Sequence, residues 1–94
     1  SAKADDLWLH AKDYHSTHVI VTNSNEEIPE KVILVASEIC AYYSKGREGG
    51  KVEVVNTKRK NVKKPKGANL GFCTYTDFKS IIVKPNAHLE YLKN

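Results

Sequence analysis

Between Pro29 and Lys45 the spacing of apolar residues changes, and this change of period constrains the fold of the 94-residue chain more than any other feature. Val32, Val35, Ala36, Ile39, Cys40, Ala41, Tyr42 and Tyr43 recur at helical intervals and form a broad band with Ile39 at its centre. Pro29 suits a first helical turn, where its missing N–H costs nothing. Glu26, Glu27 and Glu30 favour the positive end of the helix dipole, Lys45 the negative end, and Gly46 a stop. No second segment has this period. A chain of this length makes one domain with one modest core, so the single helix needs a sheet to pack on.

The flanking segments supply that sheet. "LWLHA" alternates Leu7, Leu9 and Ala11 with Trp8 and His10, and "HVIVT" alternates Val19 and Val21 with His18, Ile20 and Thr22; "KDYHST" between them suits a hairpin connection. After the helix, "KVEVVNT" reads as a strand continued by a basic stretch, and "GFCTYT" and "SIIVKP" as two more strands joined by a turn around Asp77 to Lys79. The order is ββαβββ: an α+β domain spanning residues 1–94, with one amphipathic helix covering one face of a mostly antiparallel sheet. The core is the expected place for Tyr75 and Phe78, with base stacking as the alternative.

Charge is unevenly spread along this scaffold. Of fifteen Lys and Arg residues, six (Lys58, Arg59, Lys60, Lys63, Lys64 and Lys66) fall between Thr57 and Gly67 with no carboxylate among them, and the rest of the chain is net −2. A local concentration of cations is the electrostatic footprint of a polyanion partner. A solvated face that protects a sheet edge is the plainer explanation. Pro65 ends regular pairing and Gly67 and Gly71 permit turns, so an exposed cationic loop is expected, able to reach phosphate oxygens without reading sequence.

Other chemistries are poorly supported. His10, Asp13, His15 and His18 fall within nine residues, but their spacing matches no recurrent zinc pattern. "GREGGKV" lacks the arrangement of a phosphate-binding loop, and no nucleophile elbow or CxxC is present. Cys40 and Cys73 are expected as reduced, buried small hydrophobes, with a disulfide between them as the alternative. No apolar run reaches the roughly 20 residues of a membrane span, and "SAKADDLWLH" has no basic and apolar export signal. Catalysis, a cofactor, a metal and a membrane are therefore not expected.

Taken in order and spacing, "DLWLHAKD", "HVIV", "ASEICAYYSKGRE", "KVEVVNTKRKNVKKPKGANLGFCTY" and "IIVKP" resemble the NFACT RNA-binding domain of bacterial RqcH and fibronectin-binding protein A homologues. The most specific parts are Trp8, His10, Lys12 and Asp13, the AYYSK segment, and the run from Lys60 to Ala68. Two departures are His15, Ser16, Thr17 and His18 before the second strand, where the family has Pro-Gly-Ser-His, and Leu70 where it often has Pro. A strand-forming segment that the family carries upstream of Asp5 is also missing. With Ser1 and Ala2 reading as vector-derived, the chain is expected to be an excised, N-terminally truncated form of the domain.

The resemblance implies a cytoplasmic parent protein that works on obstructed large ribosomal subunits and holds tRNA while alanine is added to a stalled nascent chain without a template. It makes this domain a non-enzymatic RNA-contacting module whose partners are tRNA, large-subunit RNA and other domains of the parent. By position it marks Lys60, Lys63, Lys64 and Lys66 as RNA contacts, with Lys58 and Arg59 by adjacency. His10, Lys12 and His18 match signature positions, where RNA contact and structural support of the hairpin have equal claim. Fibronectin binding and a metal-dependent hydrolase are the competing functions.

Overall fold

The computed structural model describes residues 2–13, 17–23, 26–44, 49–67 and 73–91. Strands β1 (Leu7–Ala11), β2 (Val19–Val21), β3 (Val52–Lys58) and β6 (Lys79–Val83) form an antiparallel sheet in the order β2-β1-β3-β6. Its register follows the period-2 pattern. Leu9 sits between Val19 and Asn56, Ala11 faces Val54, and Val54 faces Ile81, so one face is almost wholly aliphatic. Helix α1 (Glu30–Tyr42) covers that face, completing a core of Leu7, Leu9, Ala11, Val52, Val54 and Val83 with Ala36, Cys40 and Ala41.

The helix seals the sheet with small residues. Ala36, Ser37, Cys40 and Ala41 are its buried positions, and their size lets the helix backbone approach the sheet closely. Ser37 is tolerated there because its hydroxyl donates to Ile33 O at 2.7 Å. The centre of the buried face is thus Cys40, fully buried, and not Ile39, which the periodicity places there. Ile39 stands at the margin with Val32 and Val35, lining an open apolar groove beside β2. The apolar band is wider than one helix face, so spacing alone cannot locate its middle. The helix also ends earlier than its composition suggests. Tyr43 N–H reaches Ile39 O and Ser44 N–H reaches Ala41 O, at 3.1 and 3.2 Å; the expected stop at Lys45 and Gly46 lies outside the described residues.

The basic stretch does not prolong β3. After Lys58 the chain turns through a 3₁₀ segment, Arg59–Asn61, and re-enters as a short strand β4 (Val62–Lys63) paired with β5 (Thr74–Tyr75), a two-stranded ribbon separate from the main sheet. The segment read as one strand over "GFCTYT" is reduced to Thr74–Tyr75 among the described residues. The ribbon lies over the outer sheet face, where Val62, Cys73 and Tyr75 pack on Trp8 and Val55. Both faces of the sheet therefore carry a core: a helix on one, a cationic ribbon on part of the other.

Candidate nucleic-acid interface

The ribbon is held in place by polar contacts at the end of β3. Thr57 is buried, and its hydroxyl lies 2.8 Å from Thr76 O and 3.1 Å from Asp77 O while accepting from Asn61 Nδ2 at 3.1 Å. Thr76 N–H donates to Asn61 O, closing the link between the 3₁₀ segment and the turn that leads to β6. Arg59 Nη1 donates to Val62 O at 3.1 Å, and its own N–H donates to Asp6 O at 2.8 Å. Asp6 anchors the base: its carboxylate accepts the backbone N–H groups of Asn23 and Lys3 at 2.9 and 2.7 Å, and these bonds hold its carboxyl below 3.8.

With Arg59 bonded to Val62 O, this geometry separates the five lysines of the cluster into two groups. Lys58 and Lys60 face Asp5, at 3.8 and 3.7 Å from its Oδ1, so folding supplies the carboxylate that the local sequence lacks. Lys63, Lys64 and Lys66 run along the ribbon and past Pro65 to Gly67, all exposed, and among the described residues none is within ion-pair distance of a carboxylate. Gly67 adopts φ +78°, a left-handed turn that suits glycine, with open space around its α-carbon. Gly71 and Leu70 lie outside the described residues.

A row of rings crosses the outer face beside this ribbon. Trp8 is almost fully buried and stacks on His10 at 5.5 Å, meets His18 edge-on at 5.1 Å, and tilts against Tyr75 at 5.4 Å. His10 and His18 meet at 4.8 Å, and Tyr75 touches Phe78 at 5.0 Å. Partial burial depresses the His18 pKa below 6.5, and the Arg59 guanidinium depresses it further. Arg59 and the histidine pair therefore share one surface. Lys12 is engaged with Glu53 at 3.8 Å. Phe78, expected in the core, is 51 % exposed.

Among the described residues no cluster of three or more His, Cys, Asp or Glu side chains is arranged to hold a metal ion; His15 lies outside them. No disulfide joins Cys40 and Cys73, and burial pushes the Cys40 thiol up to about 11, which keeps it protonated and unreactive. Cys73 is only half-buried. Among the described residues no helix is long and apolar enough to cross a membrane. A cleft of about 900 Å³ sets Lys58, Lys60 and Lys79 against Asp5, Glu26, Glu27 and Glu30. Its acidic wall disfavours a polyanion, so among the described residues the unopposed charge lies on the ribbon.

The sequence signals mark the cations and the histidines and name Phe78, placing it in the core with base stacking as the alternative, but leave Thr57 and Asp5 unmarked. Thr57 meets Thr76 and Asp77, and Asp5 meets Lys58 and Lys60, across distances in sequence that leave no local mark. Phe78 was open to detection, because its parity with Ser80 and Ile82 sets it opposite the core residues Ile81 and Val83.

Fold and charge together define a one-helix α+β module that presents a cationic ribbon and an aromatic row on the sheet face the helix leaves open. The chain belongs to the NFACT protein RNA binding domain family, whose model matches residues 1–72. It is 42 % identical over 86 residues to the Rqc2 homolog RqcH of Bacillus subtilis (strain 168), and 39 % identical over 84 residues to that of Streptococcus suis (strain 05ZYH33). These matches take in 92 % and 89 % of the chain but only 15 % of each relative's length. A solved structure of the C-terminal part of the fibronectin/fibrinogen-binding protein from Streptococcus suis superposes with a TM-score of 0.81 at 39 % identity, covering 90 % of this chain and 34 % of that one.

Proposed function

We propose that the chain is the RNA-contacting module of a ribosome-associated quality-control factor and acts by binding, without catalysis of its own. The observation that carries this reading is the ribbon: Lys63, Lys64 and Lys66 stand exposed and unpaired by acid among the described residues, on a domain whose family is named for RNA binding. These three neutralise phosphates. Arg59 and the Asp5-tethered Lys58 and Lys60 extend the contact, and His10, Lys12 and His18 form a second zone on the same sheet face. The kinship with RqcH supports a cytoplasmic parent that engages obstructed large subunits and tRNA during template-independent alanine tailing, with the parent's other domains as further partners.

Each phosphate contact contributes about −0.7 to −0.9 to the slope of log affinity against log salt. Replacing Lys63, Lys64 and Lys66 together with Ala should flatten the slope for tRNA or ribosomal RNA by about 2 to 3 and weaken all sequences alike, with little change in stability. An unaltered slope in a folded variant would show that these lysines are only a solvated face. The likeness to a fibronectin/fibrinogen-binding protein supports a second reading, adhesion. Saturable fibronectin binding at salt concentrations that abolish RNA binding would favour it.

A further inference from the structure

A double helix and a single strand offer a protein different surfaces, and the outer face of the sheet is suited to one of them. In a duplex the faces of the bases are stacked on their neighbours and only edges and backbone are reachable. In a single strand each base has a face to give. The sheet has one face closed by α1 and the other partly open, and on the open face the rings of Phe78, Tyr75 and Trp8 follow one another at 5.0 and 5.4 Å. The row ends in His18 at 5.1 Å from Trp8, beside Arg59.

Phe78 is the exposed member. It stands edge to face on Tyr75, with an interplanar angle of 87°, and is 51 % exposed. Its backbone is fixed from behind: Asp77 adopts φ 52°, and the carbonyls of Thr76 and Asp77 both meet the buried Thr57 hydroxyl. A rigidly presented aromatic ring loses little freedom on binding, which distinguishes it from a phenyl group on a loose loop. Ile82, 66 % exposed, continues the apolar stripe along β6 on the same face. The charge that complements this stripe lies next to it, on the ribbon that supplies Tyr75's partner strand, with Lys63 paired to Thr74.

We infer that the RNA taken by this face is single-stranded, its unpaired bases stacking on Phe78 and the ring row behind it while Arg59 and the ribbon lysines hold the flanking phosphates. The inference rests on the RNA-binding reading above and adds the class of RNA. A stem recognised only through its backbone would have no use for an exposed, braced phenyl ring.

The test uses the 94-residue chain and two probes: an unstructured RNA of about 12 nucleotides, within the usual single-strand site size, and a hairpin duplex with the same number of phosphates. The single strand should bind more tightly at equal salt. Phe78→Ala should weaken it by about 5- to 140-fold, the range for loss of one stacked base, and leave the salt slope unchanged. Phe78→Tyr should keep the affinity and Phe78→Leu, which retains bulk and apolarity, should lose most of it; thermal midpoints of all three identify any variant that misfolds. Equal binding of duplex and single strand overturns the inference, as does wild-type affinity in a folded Phe78→Leu variant. If that affinity persists while the triple lysine variant is weakened, RNA binding stands and stacking fails. If neither substitution affects affinity, both readings fail.

Discussion

Thr57→Val removes one oxygen from the junction between β3, the ribbon and the Phe78 turn while keeping the side chain's shape. The hydroxyl lies 2.8 Å from Thr76 O and 3.1 Å from Asp77 O and accepts from Asn61 Nδ2 at 3.1 Å. A neutral hydrogen bond contributes about 0.5 to 1.5 kcal/mol net, and a buried partner left unpaired costs about 1 to 3 kcal/mol. Thr57 is 4 % exposed, but Asn61 is half-buried and Thr76 and Asp77 are exposed, so water can recover part of what is lost. The expected cost is therefore in the lower range, about 1 to 2 kcal/mol, or a fall in midpoint of about 4 to 16 °C for a domain of this size. Urea denaturation should show a lower midpoint with an unchanged slope. Amide exchange at Thr76, whose N–H donates to Asn61 O at 3.1 Å, should accelerate more than at the centres of β1 and β3. A midpoint equal to wild type together with unchanged exchange at Thr76 would refute the claim that this hydroxyl braces the ribbon.

Leu9→Ala should cost about 2 to 5 kcal/mol, because Leu9 is fully buried at the centre of the helix-covered face. Ile39→Ala should cost about 1 kcal/mol, the centre of the range for single substitutions, and equal losses in urea midpoint would show the helix to be rotated from the placement described. Stability should also fall in two steps as pH is lowered. The depressed pKa of His18 means that the unfolded chain takes its proton first, so stability is lost from about 6.5 down to the lower folded value and then levels. The depressed pKa of Asp6 gives stability present above 3.8 and lost as pH falls through its folded value. In thermal midpoints measured against pH, His18→Gln should remove the first contribution and Asp6→Asn the second; superimposable profiles for wild type and His18→Gln between pH 5 and 7 would contradict the first.

The main sheet was legible because its signal is local. Leu7, Leu9 and Ala11, and Val52 and Val54, alternate cleanly, and the antiparallel register then follows from burying one face. The helix was legible in existence and not in orientation. Its eight-residue band contains more apolar side chains than one face can bury, and the sheet selected the small ones, Ala36, Cys40 and Ala41, with a serine whose hydroxyl bonds to its own helix. β4 was missed because two residues, Val62 and Lys63, are too few to show a period, and because the turn at Arg59–Asn61 is held by Asp6 and Ala4 from the far end of the chain.

The charge cluster shows the same division. Read along the chain, six cations look equivalent, yet Asp5 lies more than fifty positions away and meets Lys58 and Lys60 once Arg59 and Lys60 are bonded to the backbone of Asp6 and Ala4. Exposed pairs at 3.7 and 3.8 Å contribute at most about 1 kcal/mol to stability, so their larger effect is on where a polyanion sits. At the base of the ribbon a phosphate must compete with a carboxylate; at Lys63, Lys64 and Lys66 it meets none among the described residues. The gradient points a bound strand away from the acid-walled cleft and outward along the ribbon, onto the sheet face where Tyr75 and Phe78 stand. Under the proposed reading, an RNA held there would be positioned by charge from one side and by ring surface from the other, so the ribbon lysines and the ring row would act as one interface.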